Sequence, residues 1–169
     1  MKRILSIFGL FLVLSVSLKA YDIFEKELIY FPSDKEVGSI VIKTNEKKLY
    51  YLAEVDLAYE FSIAVGKHKK DRFYGTFPIS RKAKWPEWRP TESMLEKEPN
   101  LPEVVKGGKR NPLGARALYL GDSAFRIHGT NNPRSIGKAA SHGCIRMHNE
   151  DVKELYKLVY IGNNVYVER

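Results

Sequence analysis

No second cysteine accompanies Cys144 in the 169 residues. An internal disulfide is excluded, and so is a cysteine-rich zinc module. Long apolar runs are missing after residue 20, which excludes a polytopic membrane protein. Acids are the scarcer charge, 20 Asp and Glu against 28 Lys and Arg, for a formal charge of +8. Hydrophobic residues at 44% and charged residues at 28% form an ordinary globular mix, so the chain is neither wholly disordered nor collagen-like. The length suits one domain with a short appendage, long enough to bury a core without staples.

The appendage is residues 1–20. Met1-Lys2-Arg3 precedes an uncharged run from Ile4 to Leu18, and charges resume at Lys19. The run falls short of the roughly 20 residues that span a bilayer. It matches the apolar region of a secretory signal, cleaved after Ala20. An uncleaved anchor is the alternative, since Leu18 is not the small residue favoured three positions before a cut. Either way the sequence predicts export. Without residues 1–20, which hold Lys2, Arg3 and Lys19 but no acid, the charge is +5. A positive excess suits acidic partners, and export favours an anionic wall polymer over nucleic acid. The basic runs Lys67 to Lys70 and Lys106 to Arg110 lie beside Gly and Pro and read as solvated loops.

After a lead-in over 21–37, the pattern predicts a mainly-β domain over 38–168 with one packed helix. Ser39 to Lys43 and Lys48 to Leu52 form a hairpin around Asn45-Glu46-Lys47. Ala58 to Val65 alternates as a strand. Gly75 to Ser80 is a shorter one, with Pro78 marking an edge or a bulge. Residues 82–114 carry five prolines with Trp85 and Trp88, and read as a functional insertion. Ala117 to Leu120 and Phe125 to His128 flank the turn Gly121-Asp122-Ser123. Val152, Leu155, Tyr156 and Val159 follow helical spacing, with Asn149 as cap and Glu150 and Asp151 at the positive end of the dipole. Val165 to Val167 is a last strand.

The chemistry is concentrated between residues 126 and 148. Cys144 follows Gly143, and His142, Arg146 and a returning His128 surround it. Cationic neighbours lower a thiol pKa, and a thiolate beside an imidazole is an attacking pair for acyl transfer. His128 ends a strand, from which a base can be aimed. Ser141, His142 and Arg146 are candidate substrate-binding residues. His142 also suits fixing the loop by hydrogen bonds, and His148 and His68 read as exposed. A zinc site of His142, Cys144 and His148 is disfavoured, because His-x-Cys is not a usual ligand spacing. Trp85 and Trp88 are expected to line a lid, residues 82–114, over the Cys144 cleft.

Ser141-His142-Gly143-Cys144-Ile145-Arg146, preceded by His128-Gly129-Thr130-Asn131, closely resembles the YkuD-type L,D-transpeptidase signature. The resemblance runs from about Ser39 to Val167 and is strongest to compact Gram-negative members. It implies a β-sandwich or barrel catalytic domain, a periplasmic site of action and no cofactor or metal. It also implies that Cys144 attacks a peptidoglycan stem after its third residue and releases D-Ala, with His128 as base. The Gly129 carbonyl would hold the imidazole, and the Gly143 and Cys144 N–H groups would face the oxyanion. The acceptor would be a second stem, giving a 3→3 cross-link, or a wall-attached lipoprotein. Water as acceptor would give carboxypeptidase activity. Two readings stay open beside it, a non-catalytic peptidoglycan-binding module and a cysteine hydrolase of an unrelated amide. An exported, accessible lone thiolate further predicts a periplasmic thiol reductase as partner.

Overall fold

Val, Ile and Tyr crowd residues 40–43 and 48–54, and between them Lys47 takes a left-handed φ of 56°, closing the expected hairpin. The computed structural model describes residues 26–169. The expected signal or anchor over residues 1–20 lies outside the described residues. The strands are β1 (Leu28–Tyr30), β2 (Ile40–Lys43), β3 (Lys48–Glu54), β4 (Leu57–Ser62), β5 (Val65–Gly66) and β6 (Gly75–Lys84). A short helix α1 (Glu92–Leu95) follows, then β7 (Arg116–Leu120), β8 (Arg126–His128), β9 (Ala139–Ser141) and β10 (Ile145–Arg146). Helix α2 (Asn149–Leu158) and β11 (Asn164–Glu168) complete the order.

Nine strands form one mixed sheet in the order β1-β4-β3-β2-β11-β6-β7-β8-β10. β11 runs parallel to β2 and β10 parallel to β8, while the other pairs are antiparallel. β6 carries the sheet around a corner. Gly75 to Pro78 pair with β11, and Ile79 onward pair with β7, with a register shift between Ile79 and Arg81. Pro78 therefore stands at the handover, where its missing N–H takes no ladder bond from β7. Beyond β10 the sheet closes on itself: Ala64 and Arg146 exchange backbone hydrogen bonds of 2.8 and 2.9 Å. The architecture is thus a folded, barrel-like sheet, mostly β with one substantial helix.

The core fills the space inside. Ile40, Leu49, Phe61, Leu118, Ile127 and Ile145 are all fully buried. Each contributes about 2 kcal/mol by leaving water. Helix α2 packs on β7 and β8 through Val152 and Leu155. Lys82 Nζ donates to Tyr156 O at 2.7 Å and Val159 O at 2.5 Å, capping the negative end of that helix.

Several expectations need correcting. β6 extends through Lys84, so the insertion begins at Trp85 instead of residue 82. The run Ser80 to Lys84 is polar enough to read as loop, yet Lys82 buries its stem against α2. The lead-in carries a strand not expected from sequence: β1 pairs with β4, and Phe31 stacks on Tyr50 at 4.2 Å. His148, not Asn149, is the N-cap of α2, which frees the Asn149 amide for another task.

Candidate active site

β8 alternates. Ile127 enters the core, so Arg126 and His128 share the opposite face. β10 lies parallel beside it with Ile145 opposite Ile127 and Arg146 opposite His128. Cys144, one residue before β10, thereby falls beside Arg126 on that same face. Two strand edges hold this short strand, β8 on one side and the Ala64 bridge on the other. The nucleophile candidate thus stands on rigid backbone.

His128 is 4% exposed, and its Nδ1–H donates to Gly129 O at 2.6 Å. A carbonyl can only accept, so the hydrogen sits on Nδ1 and Nε2 keeps its lone pair. Burial holds the imidazole down to about 4, against the Gly129 bond and with help from Arg146 and Arg126. The ring is therefore neutral at pH 7, the form a general base needs.

Cys144 departs from expectation. Burial pushes its thiol above the usual value, and the pull of Arg126 and Arg146 does not overcome that. The expected low-pKa thiolate is corrected to a neutral thiol, because desolvation outweighs the cations. Sγ faces Ala124 O at 3.9 Å and also meets Arg126.

The loop before Cys144 is shaped from behind. Gly143 has φ +126°, and a Cβ there would stand 3.0 Å from Asp71 O and 3.3 Å from the Phe125 ring. Phe125 stacks on Phe73 at 3.9 Å, and Lys67 N–H donates to Ser141 O. The run Lys67 to Lys70 is thus not merely a solvated loop, since its start backs the site. Ser141 is buried, and its hydroxyl accepts the Gly143 N–H at 3.1 Å. Ser141 thus faces inward and sets loop shape, and its hydroxyl engages the Gly143 N–H in this structure. The Cys144 N–H keeps no protein acceptor among the described residues. His142 is exposed and without a hydrogen bond there, so it does not fix the loop. His148 is exposed at the helix start, and Arg146 is half-buried beside His128. Among the described residues no cluster of His, Cys, Asp or Glu could hold a metal ion.

Sequence reading missed Asn149. Its Oδ1 accepts from Ala115 N at 3.0 Å and Thr130 N at 3.2 Å, and its Nδ2 donates to Thr130 O at 2.9 Å. A Cβ on Gly129 would strike that oxygen. Asn149 thus clamps the Gly129-Thr130 backbone whose carbonyl orients His128. Asn149→Ala leaves two N–H groups unmatched. We expect a stability loss of about 2 kcal/mol and a turnover loss of about tenfold with KM little changed, read by thermal unfolding and steady-state kinetics. Unchanged turnover in a folded variant would remove the clamp from the mechanism.

The insertion is ordered around Asn111, whose Nδ2 reaches Pro86 O, Val105 O and Lys106 O at 2.8 to 3.1 Å. Trp88 and Val105 bridge its two arms, and Gly107 packs against the Trp85 backbone. Trp85, Trp88, Arg81, Tyr119 and Arg126 line one open cavity of about 490 Å³. Arg126, one wall of that cavity, also interacts with the Cys144 sulfur.

The family described as YkuD, L,D-transpeptidase catalytic domain, matches residues 38–167. The chain is 40% identical over 133 residues to the Escherichia coli protein named "Probable L,D-transpeptidase YbiS", covering 75% of this chain and 43% of that one. It is 35% identical over 135 residues to the E. coli "Probable L,D-transpeptidase ErfK/SrfK", again over 43% of that protein. This chain therefore spans less than half the length of these curated relatives. The NMR structure of an E. faecium L,D-transpeptidase catalytic domain acylated by ertapenem superposes with a TM-score of 0.60 at 20% identity. It covers 80% of this chain and 100% of that one, so the two share a fold.

Proposed function

Because the chain belongs to the family of L,D-transpeptidase catalytic domains, we propose that it is a cysteine acyltransferase acting on peptidoglycan stem peptides. The observation that carries this reading is the His128 ring, locked through Nδ1–H to Gly129 O on the strand beside Cys144. A histidine fixed in that tautomer presents a free Nε2 to a neighbouring thiol.

In the proposed cycle, His128 Nε2 takes the Cys144 proton as sulfur attacks the carbonyl of the third stem residue. The negative oxygen of the tetrahedral intermediate lies against the Cys144 N–H, a donor of the kind contributing roughly 3 kcal/mol. The Gly143 N–H joins only when Ser141 releases it. Collapse breaks the amide, and the imidazolium returns the proton to the leaving D-Ala amine. The thioester then meets an acceptor amine, whose proton passes to His128 as the new amide forms and Cys144 is freed. A second stem gives a 3→3 cross-link, a lipoprotein amine gives wall attachment, and water gives a trimmed tripeptide. The insertion from Trp85 to Gly114 acts as a lid that reads the stem. His142 and Arg146 face the bound peptide, and the apolar run over residues 4–18, read as a signal or an uncleaved anchor, supports action in the periplasm. A thiol reductase partner draws less support than the sequence suggested, since the raised thiol carries less thiolate to oxidise.

Mass spectrometry of tetrapeptide muropeptides incubated with the enzyme tests the cycle. Dimers joined 3→3 with release of D-Ala are expected. Tripeptides alone would make it a carboxypeptidase, and unchanged muropeptides would refute the reading.

A further inference from the structure

Arg81 and Arg126 bracket a single aromatic ring. The Arg81 guanidinium lies 3.5 Å from the Tyr119 centroid, and that of Arg126 lies 5.1 Å from it. Neither arginine has a carboxylate partner among the described residues. The nearby acid Glu87 is taken by Arg89 at 2.9 Å. Lys84 and Arg89 add charge to the same cavity wall. Arg126 is further unfinished: its Nη1 donates to Ala124 O at 3.0 Å, while its buried Nε has no acceptor. Two like charges sharing one ring, with a buried donor left over, form a site lacking its anion.

The position says which anion. Arg126 meets the Cys144 sulfur, and a sulfur poised for attack stands about 3 Å from the scissile carbonyl carbon. In a tetrapeptide donor the terminal carboxylate carbon is three bonds further on, under about 4 Å away. The distal carboxylate of a diaminopimelate side chain lies several bonds further out. Resting on the acyl-transfer reading above, we propose that Arg126 and Arg81 form a carboxylate clamp that binds the free α-carboxylate of the leaving D-amino acid. The planar fork of a guanidinium matches a carboxylate with two parallel hydrogen bonds. The ring of Tyr119 holds both forks in place while they are empty. The clamp makes the enzyme select donors that end at the residue being released. A stem extended by a fifth residue, or capped as an amide, leaves the clamp without its charge.

The test separates binding from chemistry. In Cys144→Ala protein the intrinsic fluorescence of Trp85 and Trp88, both lining the cavity, reports binding of L-Ala-γ-D-Glu-meso-diaminopimelyl-D-Ala and of its C-terminal amide. The acid is expected to bind about 10- to 100-fold more tightly. Arg81 is exposed, so Arg81→Gln should fold, and it should shrink that ratio to about threefold or less. Arg81→Lys should restore part of it, since charge returns without the fork. Equal affinity for acid and amide overturns the clamp whatever the variants do. Equal weakening of both ligands by Arg81→Gln overturns the role of Arg81. D-Ala release by the Cys144 enzyme is measured separately. Release with no acid preference leaves the reaction standing and the clamp refuted, whereas no release with a clear preference does the reverse.

Discussion

Cys144→Ala is expected to lower D-Ala release from a tetrapeptide donor by about 10⁴-fold or more, the loss typical when a covalent nucleophile is removed. The side chain is only half-buried, so the melting temperature should shift by no more than a few degrees. A carbapenem should add a single adduct mass to the wild type and none to the variant. The resting thiol is protonated, because burial raises it against two nearby arginines. In the proposed cycle, sulfur therefore becomes a strong nucleophile only as its proton leaves, so attack and proton transfer would be coupled. Retained turnover in Cys144→Ala would end the covalent mechanism.

That coupling puts the weight on His128. His128→Gln is expected to reduce turnover about 10³-fold, within the range for a general base. The pH profile should be unusual for a histidine-dependent enzyme. With the imidazole held at about 4, the base stays deprotonated well below pH 6, and the acid limb should fall near pH 4. Stability carries the same signature. The folded pKa lies below the unfolded value of about 6.5, so unfolding takes up a proton between those two values. Above pH 6.5 this group has no effect, and as pH falls toward 4 it removes about 3 kcal/mol. Thermal unfolding from pH 8 to pH 4 should show that decline in the wild type and a shallower one in His128→Gln. Parallel curves, with an acid limb near 6.5, would mean that the ring is solvated.

The features that sequence could reveal were local. The hairpin pattern of residues 40–43 and 48–52 around a turn and the 152/155/156/159 spacing are each legible within a few residues, and both elements stand as expected. The Ser-His-Gly-Cys loop with an upstream His-Gly-Thr pointed to the family that residues 38–167 match. Non-local features stayed hidden. Nothing in Asn164 to Glu168 says that it will lie between β2 and β6, because that placement depends on pairing across the whole chain. β5 and β10 are two residues each, too short for any period to register. Asn149 looked like a cap because capping needs only a neighbouring N–H, whereas its partners are 19 and 34 residues away. Arg126 did leave a signal, its place two residues before His128 on an alternating strand. The contest between burial and charge at Cys144 could be decided only once the depth of the sulfur was known.

The position of β11 sets a schedule for folding. Residues 164–168 supply a central strand, parallel to residues 40–43 and joined to them by the Lys43–Glu168 ion pair. Until that strand joins, β2 and β6 have no partner on their facing edges, and the hydrophobic interior cannot seal. A chain lacking only residues 164–168 therefore holds no finished site. Contacts spanning more than 120 residues also make the search slow. Deleting the last six residues should yield no weakened enzyme but an insoluble or protease-sensitive chain, with the hairpin of β2 and β3 as its most persistent remnant.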